Sequence, residues 1–454
     1  MDTTITNYDG GVVTAPQKVV RPESVEELQA ILQDAERFPS PVRAMGSFHS
    51  LTPCASSSGT IVSMSGLKKV QRIDTQKMTF TAQAGLQMVE AAEMLRKRDL
   101  QFMLNIEIGN MTLGAAACCQ TKDSLDGAQY GQVNSYVTKI KWVNPTGGLE
   151  EASEEESPEL LSLVRSSYGL CGVVYEVTFK IKPLEMIRFN YTCFDINDLT
   201  QEKVSSIIGA NESIVCWTVG RTVIIQTRNR ATHLRHSWLA AVRRRSWNFI
   251  GACVGRAIRG YAPGKTLREL IEDLWFAIQR AGYRFLDVIG GFSLYNPDKT
   301  VNYENTPPWA RYAFTFWAFP RSEWVSNLKA YLEFAESHFK KYGFRCNLPL
   351  GSYFIRRDVS SLLSYSYNGD IISIDPIHAC VDGEKIAWQY FLQEFNAWAY
   401  SRGGVPLLNQ SPFVEQKHVV AAYGERWKKL SDWVRKVDPR GRMLNAFFKE
   451  LLLS

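Results

Sequence analysis

The chain has no CxxC pair among its nine cysteines. The adjacent Cys118-Cys119 lacks a His or Cys at a spacing that would complete a zinc site, so no metal is expected. An odd, scattered set of thiols reads as reduced, which points to a cytoplasmic protein. The start, Met1-Asp2-Thr3-Thr4, is polar and has no basic end followed by an apolar core, so no secretory leader is expected. No stretch approaches the roughly 18 consecutive apolar residues of a membrane span. A GxGxxG fingerprint is missing, which removes the commonest dinucleotide-binding reading. Internal repeats and low-complexity linkers are missing too.

What is present fits a globular enzyme. At 454 residues the chain exceeds one ordinary compact core, so two large domains are expected. Its 12 Trp, 19 Tyr and 23 Phe suit a chain that encloses a planar ligand, although thick cores use aromatics as freely. The net charge of +6 is too mild to call for a nucleic-acid partner. It is unevenly spread: residues 228–284 hold 12 basic and three acidic side chains, with Trp238, Trp247, Phe249 and Ile250 interleaved. Two readings stay open there, a solvated helix outside the second domain or a basic amphipathic surface in peripheral contact with an anionic membrane.

Patterning divides the chain into an α+β arrangement. Short strands and helices alternate from about 15 to 185. Ser24 caps a helix whose apolar face is Val25, Leu28, Ile31 and Leu32. Strands are expected from Pro41, over 59–64, over 78–85 and over 173–181, with a helix over 88–96. From 186 to about 420, strands such as 312–319 and 371–374 separate long helices over 324–342 and 388–400. A helix over 419–436 and a turn at Asp438-Pro439-Arg440-Gly441-Arg442 lead into a short apolar tail.

The segment Arg43-Ala44-Met45-Gly46-Ser47-Phe48-His49-Ser50 carries the chemistry. A strand runs into a Gly/Ser turn whose backbone N–H groups can converge on a diphosphate. His49 lies in that turn, and a neutral imidazole is a competent nucleophile toward an electrophilic ring. On spacing alone an ordinary loop histidine is the better reading. His378, just after Asp375-Pro376-Ile377, reads as a turn residue or as a base reaching a pocket. His338 and His418 are expected to face solvent on helices, and His233 and His236 have no metal-ligand company.

Four motifs occur in order: Pro22-Glu23-Ser24-Val25-Glu26-Glu27-Leu28, Gly46-Ser47-Phe48-His49-Ser50, Gly109-Asn110-Met111-Thr112-Leu113-Gly114-Ala115-Ala116, and Tyr168-Gly169-Leu170-Cys171-Gly172-Val173-Val174. Together they resemble the PCMH-type FAD-binding domain of the vanillyl-alcohol oxidase superfamily, nearest its aldonolactone and alditol oxidase branch. The resemblance is firm over 15–185, loose through the second domain, and returns at Asp438–Asn445. It implies FAD, bound covalently through His49 to the flavin 8α-methyl, with a raised reduction potential. It implies that Thr112, Gly114 and Ala115 line the flavin and diphosphate, and that Gly172 and Val173 lie against the adenine. Where relatives read Thr-Gly-Thr-His-Gly-Ser, this chain reads Cys119-Gln120-Thr121-Lys122-Asp123-Ser124, keeping Thr121 and Ser124. The implied fold is a two-subdomain FAD-binding domain over 1–185, an α+β substrate domain with an antiparallel sheet over 186–420, and a C-terminal segment, 421–454, returning to the FAD domain.

The substrate side departs from the family. Ser352 and Phe354 stand where the branch has Glu and Arg, and Gln410 stands where it has Lys. Arg356 shares strand parity with Ser352 and Phe354 and is the candidate replacement cation, with Tyr353 and Gln410 as further candidate catalytic residues. Walls of Leu407, Leu408, Phe354 and Tyr353 are expected to suit an apolar or aromatic alcohol, or an intermediate of secondary metabolism, better than a polyol. The leading expectation is an FAD-dependent oxidase acting on CH–OH groups, with oxygen as acceptor. A dehydrogenase using a non-oxygen acceptor and a non-redox flavoprotein are the alternatives.

Overall fold

The computed structural model describes residues 4–123, 129–242, 265–306, 311–379 and 383–453. The helix Val25–Gln33 starts where Ser24 Oγ accepts from the Glu27 N–H at 3.2 Å, and it buries Leu28, Ile31 and Leu32. A parallel three-stranded sheet places Thr60–Ser63 between Lys18–Val20 and Val42–Met45. Beside it an antiparallel sheet runs in the order Leu149–Ser153, Val137–Val143, Val173–Pro183, Thr79–Gln83, Val70–Asp74. Leu100–Phe102 pairs with the far end of Val173–Pro183. The two sheets and the helices Met88–Arg96 and Leu113–Cys118 share one core.

An eight-stranded antiparallel sheet dominates the second half, in the order Phe292–Tyr295, Met186–Asp195, Thr222–Ala231, Ser213–Val219, Leu350–Ile355, Ile371–Ile374, Trp317–Pro320, Val405–Pro406. It is buried on both faces, so its strands read as continuous apolar runs. Cys216 and Phe354 pack toward the helices Trp324–Tyr342 and Lys385–Ser401. Trp217, Tyr353 and Ile355 pack on the opposite face.

Two expected elements break. Residues 312–319 form two strands in different sheets, Ala313–Phe314 against Ile377–His378 and Trp317–Pro320 against Ile371–Ile374. The opposing chain contains Pro376, which has no N–H for a ladder, and its carbonyl instead accepts from the Thr315 N–H at 3.1 Å. The expected helix over 419–436 is two helices, Gln416–Tyr423 and Glu425–Val437, separated by Gly424 at φ +52° and ψ −128°, well outside helical backbone. His338 and His418 are buried rather than solvent-facing. His338 Nδ1 lies 2.8 Å from Glu394 Oε2, and His418 Nδ1 accepts from the Glu415 N–H at 3.1 Å.

The basic stretch also differs from a uniform solvated face. Arg228 is wholly buried among carboxylates, and 243–264 lies outside the described residues. The helix Lys265–Val288 leaves Leu270, Leu274, Ile278 and Phe285 exposed. Among the described residues no helix is long and apolar enough to cross a membrane.

The C-terminal turn is bound to the first half through buried arginine. Arg442 donates to the carbonyls of Ile31 (2.8 Å), Leu32 (3.3 Å) and Phe38. Asn445 Nδ2 donates to Pro53 and Ser56 carbonyls at 3.0 and 2.9 Å. Arg442→Ala would leave buried carbonyls without donors, each worth about 1–3 kcal/mol. We expect a loss of about 3 kcal/mol in urea denaturation; a change within the error of the extrapolation would show that the turn docks by packing alone.

Candidate functional site

The strand Val42–Met45 delivers the Gly46–Ser50 turn to the edge of a cleft of about 1220 Å³. Its lining runs from the His49 turn to Gly172, so the cleft is elongated. Gly46 is required there, because a Cβ would sit 2.4 Å from Thr112 Oγ1, on a stiff β-branched side chain. At the other end Gly172 has φ +138°, and a Cβ would lie 2.1 Å from the Val143 carbonyl oxygen. Backbone therefore forms the wall at both places, as close approach of a ligand demands.

His49 is held from two sides. Tyr8 stacks on its ring with centroids 4.5 Å apart and planes 23° apart. Asn110 Nδ2 lies 2.5 Å from His49 Nε2. Burial, helped by the positive charge of Arg311, pushes the imidazole down to about 4. His49 is thus neutral across the physiological range, with Nε2 engaged by Asn110 and Nδ1 left for other chemistry.

Of the residues expected to touch a cofactor, Arg43, Ala44, Gly46, Ser47, Phe48, His49, Ser50, Thr112, Gly114, Ala115 and Gly172 line this cleft. Met45 does not, and Val173 is packed into the core while its neighbour Val174 faces the cleft. Thr121 lines a second cavity, and Ser124 lies outside the described residues. Arg43 has a structural task as well: its guanidinium donates to the carbonyls of Cys54 (2.7 Å), Met443 (3.0 Å), Gly169 (3.3 Å) and Tyr168. Tyr8, Tyr303 and Tyr312, which the sequence did not single out, complete the wall beside His49.

The second cavity, of about 600 Å³, adjoins the first and shares Ile108, Met111, Tyr303, Tyr312, Phe314 and Gln410 with it. Tyr353 and Gln410 line it, whereas Arg356 is exposed just past the end of Leu350–Ile355 and lines neither cavity. The parity argument chose the other face of the strand: Tyr353 points to the cavity side, and Phe354 lies in the opposite core. Leu407 and Leu408 are core residues. His378 does not reach the cavity; it packs on Trp388 and lies 3.2 Å from Glu384.

The cation on the wall of this cavity is Lys122. Its Nζ is 2.6 Å from Asp375 Oδ2, with both side chains nearly or wholly buried. It lies 4.4 Å from the Phe314 ring centroid and 5.1 Å from those of Phe316 and Tyr353. Burial pulls the ammonium down against the opposing effect of Asp375. It raises the Asp375 carboxyl to about 6 against the opposing effect of Lys122. A second set of charges lies close by: Arg228 meets Glu107 and Asp123 at 3.0 Å each, and Lys299 meets Asp123 at 3.4 Å. Glu107 and Lys122 are the members that reach the cavity wall. Burial keeps the Tyr353 and Tyr312 hydroxyls protonated by raising both well above the usual phenol value. Lys122 left a trace in the sequence as the residue standing in for the family's His, and Tyr353 as a candidate catalytic residue.

The site accepts a flavin on its own chemistry. Asn409 Oδ1 and Gln410 Oε1 are buried on the cleft wall with no hydrogen-bond partner among the described residues, and so offer acceptors to a ring bearing N–H groups. The Leu51 N–H donates to the Asn409 carbonyl at 2.9 Å, which ties this segment to the His49 turn. Among the described residues no cluster could hold a metal ion.

Comparison with known proteins agrees. Residues 16–153 match the FAD binding domain family. An L-gulono-1,4-lactone dehydrogenase of Mycobacterium tuberculosis is 29% identical over 178 residues, covering 39% of this chain and 40% of that protein. An L-gulonolactone oxidase of Bos taurus is 26% identical over 168 residues, covering 37% and 38%. The matched stretch thus spans less than half the length of these relatives. The structure of a cholesterol oxidase from Brevibacterium sterolicum superposes over 100% of this chain and 97% of that one, with a TM-score of 0.76 at 14% identity. The chain therefore shares the fold of that cholesterol oxidase.

Proposed function

From the premise that residues 16–153 are an FAD-binding domain, we propose that this chain is an FAD-dependent oxidase of a small, largely apolar alcohol, with oxygen as the electron acceptor. The observation that carries the reading is the second cavity, which opens onto the cofactor cleft through Tyr303, Tyr312 and Gln410 and is walled by Trp217, Phe314, Tyr353 and Ile377. The polar groups of the wall are gathered at Glu107, Thr121, Lys122 and Gln410, so a polyol with hydroxyls along its whole length would leave those on the apolar side without partners, at about 1–3 kcal/mol for each buried group. Such walls favour a substrate with one hydroxyl and an apolar or aromatic body.

Bound flavin supplies a two-electron acceptor for the hydrogen on the alcohol carbon, and oxygen takes those electrons afterwards. The chain's own residues do the rest. The Gly46–Ser50 turn, Thr112–Ala115 and Gly172 hold the cofactor. Asn409 and Gln410 present acceptors to it, and the aromatic walls orient the substrate and exclude water. His49 is the attachment point: with Nε2 accepting from Asn110 the neutral ring carries its proton on Nδ1, and that proton would leave to solvent as the bond to the flavin forms there.

The test is product analysis in air. With a benzylic or long-chain alcohol, the purified protein should form one hydrogen peroxide for each carbonyl product, and alditols should give little. Turnover with an artificial acceptor but no peroxide would assign the electrons to another acceptor; preference for alditols would overturn the substrate class.

A further inference from the structure

Removing hydrogen from an alcohol carbon requires that the hydroxyl proton go somewhere, and on the wall of the second cavity the side chain that can hand a proton on to a buried carboxylate is Lys122. We propose that Lys122 and Asp375 form the proton relay of this site, with Lys122 taking the substrate hydroxyl proton as it passes its own to Asp375. The inference rests on the alcohol-oxidation reading and deepens it by naming the residues that hold the proton.

Geometry supports the assignment. Lys122 lines the second cavity and Asp375 lies behind it, wholly buried, at a hydrogen-bonding distance of 2.6 Å. The O–H bond of the substrate breaks, an N–H bond forms at Lys122 Nζ, a second N–H bond of Lys122 breaks, and an O–H bond forms at Asp375 Oδ2. The hydrogen on carbon leaves with its electron pair to the flavin, the oxidant of the reaction, and the carbonyl forms. The charge of the pair goes from zero to +1 and stays beside three aromatic rings that favour a cation. The ionisable groups around Lys122 are Asp375, Glu107, Asp123 and Tyr353, with Arg228 and Lys299 behind the carboxylates. Glu107 and Asp123 are already committed to Arg228, which leaves Asp375 as the acceptor next to Lys122. Burial brings the two partners' proton affinities toward each other, the condition for easy transfer between them.

The experiment uses the FAD-loaded protein and the variants Lys122→Met, Asp375→Asn and the double change, which removes both charges together and so leaves no unpaired buried ion. The first readout needs no turnover: 4-nitrophenol, an aromatic hydroxyl whose ionised form is yellow, is titrated into each protein. Wild type should bind it in the ionised form at a pH where free probe is protonated, and Lys122→Met and the double variant should not. The second readout is the rate of anaerobic flavin bleaching by a benzylic alcohol, which should fall by about 10²–10⁴-fold in all three variants, the usual worth of a positioned proton acceptor. Absence of 4-nitrophenol binding to wild type, or identical probe spectra in wild type and Lys122→Met, would overturn the relay. So would variants that bleach as fast as wild type, an outcome that leaves the oxidase reading standing. If the probe is ionised by wild type alone but no alcohol bleaches the flavin, the relay stands as proton chemistry and the oxidase reading falls.

Discussion

Replacing His49 by alanine should convert a protein whose flavin survives acid precipitation on the polypeptide into one that releases all of it to the supernatant. The variant should still fold, because the ring sits at the cleft edge against Tyr8 and Asn110 rather than in a core cluster. It should also still bind FAD, since the turn, Gly46 and Thr112 remain. The same imidazole sets the pH behaviour of attachment. A histidine held at about 4 by burial is neutral from mildly acidic to basic solution. Reconstitution of FAD-free protein should therefore attach flavin at a rate independent of pH from mildly acidic to mildly basic solution. An ordinary histidine would lose half its competence near its usual value of about 6.5. Acid-labile flavin in the wild type would end the attachment proposal.

Arg228→Met should cost about 3–5 kcal/mol of stability at neutral pH, the range found when one partner of a buried ion pair is removed. The side chain is completely buried and its guanidinium bridges Glu107 and Asp123 at 3.0 Å each, while its Nε donates to Gln226 at 2.9 Å. Methionine fills most of the volume but removes the guanidinium 3.0 Å from the buried Glu107 carboxylate. Asp123 keeps Lys299 at 3.4 Å, so the larger burden falls on Glu107. A buried carboxylate without a cation binds a proton more readily than in the unfolded chain. A group with a raised folded-state affinity is stabilising at low pH and loses that as pH rises. The deficit of the variant should accordingly shrink in mildly acidic urea titrations relative to neutral ones. An equal deficit at both would mean that packing, not charge, explains Arg228.

Local signals carried the cofactor half of this account. The Ser24 cap, the alternation along 173–181 and the Gly46–Ser50 turn are each encoded within a few residues, and the structure has them where the sequence puts them. The second cavity was not legible in that way. Its ionisable groups come from positions 107, 122, 228, 299 and 375 and meet only when the two halves of the chain pack together. Arg356 illustrates the difficulty. A parity argument needs the register and the end of the strand, and the strand ends at Ile355 with Tyr353 on the cavity side. The break at 315–316 depended on Pro376 in the opposing chain, which no local reading of 312–319 could contain. The buried faces of His338 and His418 were equally non-local, being set by the helices and loops packed against them. Gly424, by contrast, was a local signal, and the helical pattern on both sides of it obscured the break.

The central claim is that a flavin in the His49 cleft is reduced by an alcohol bound in the adjoining cavity. The most direct measurement is the visible flavin spectrum of the purified protein under strict exclusion of oxygen while alcohols are added one at a time. A benzylic or long-chain alcohol should bleach the spectrum, admitting air should restore it, and Ile377→Trp, which fills the cavity from its wall, should abolish the bleaching without loss of bound flavin. A spectrum that dithionite bleaches and no alcohol changes, or an Ile377→Trp variant that bleaches as readily as wild type, would contradict it.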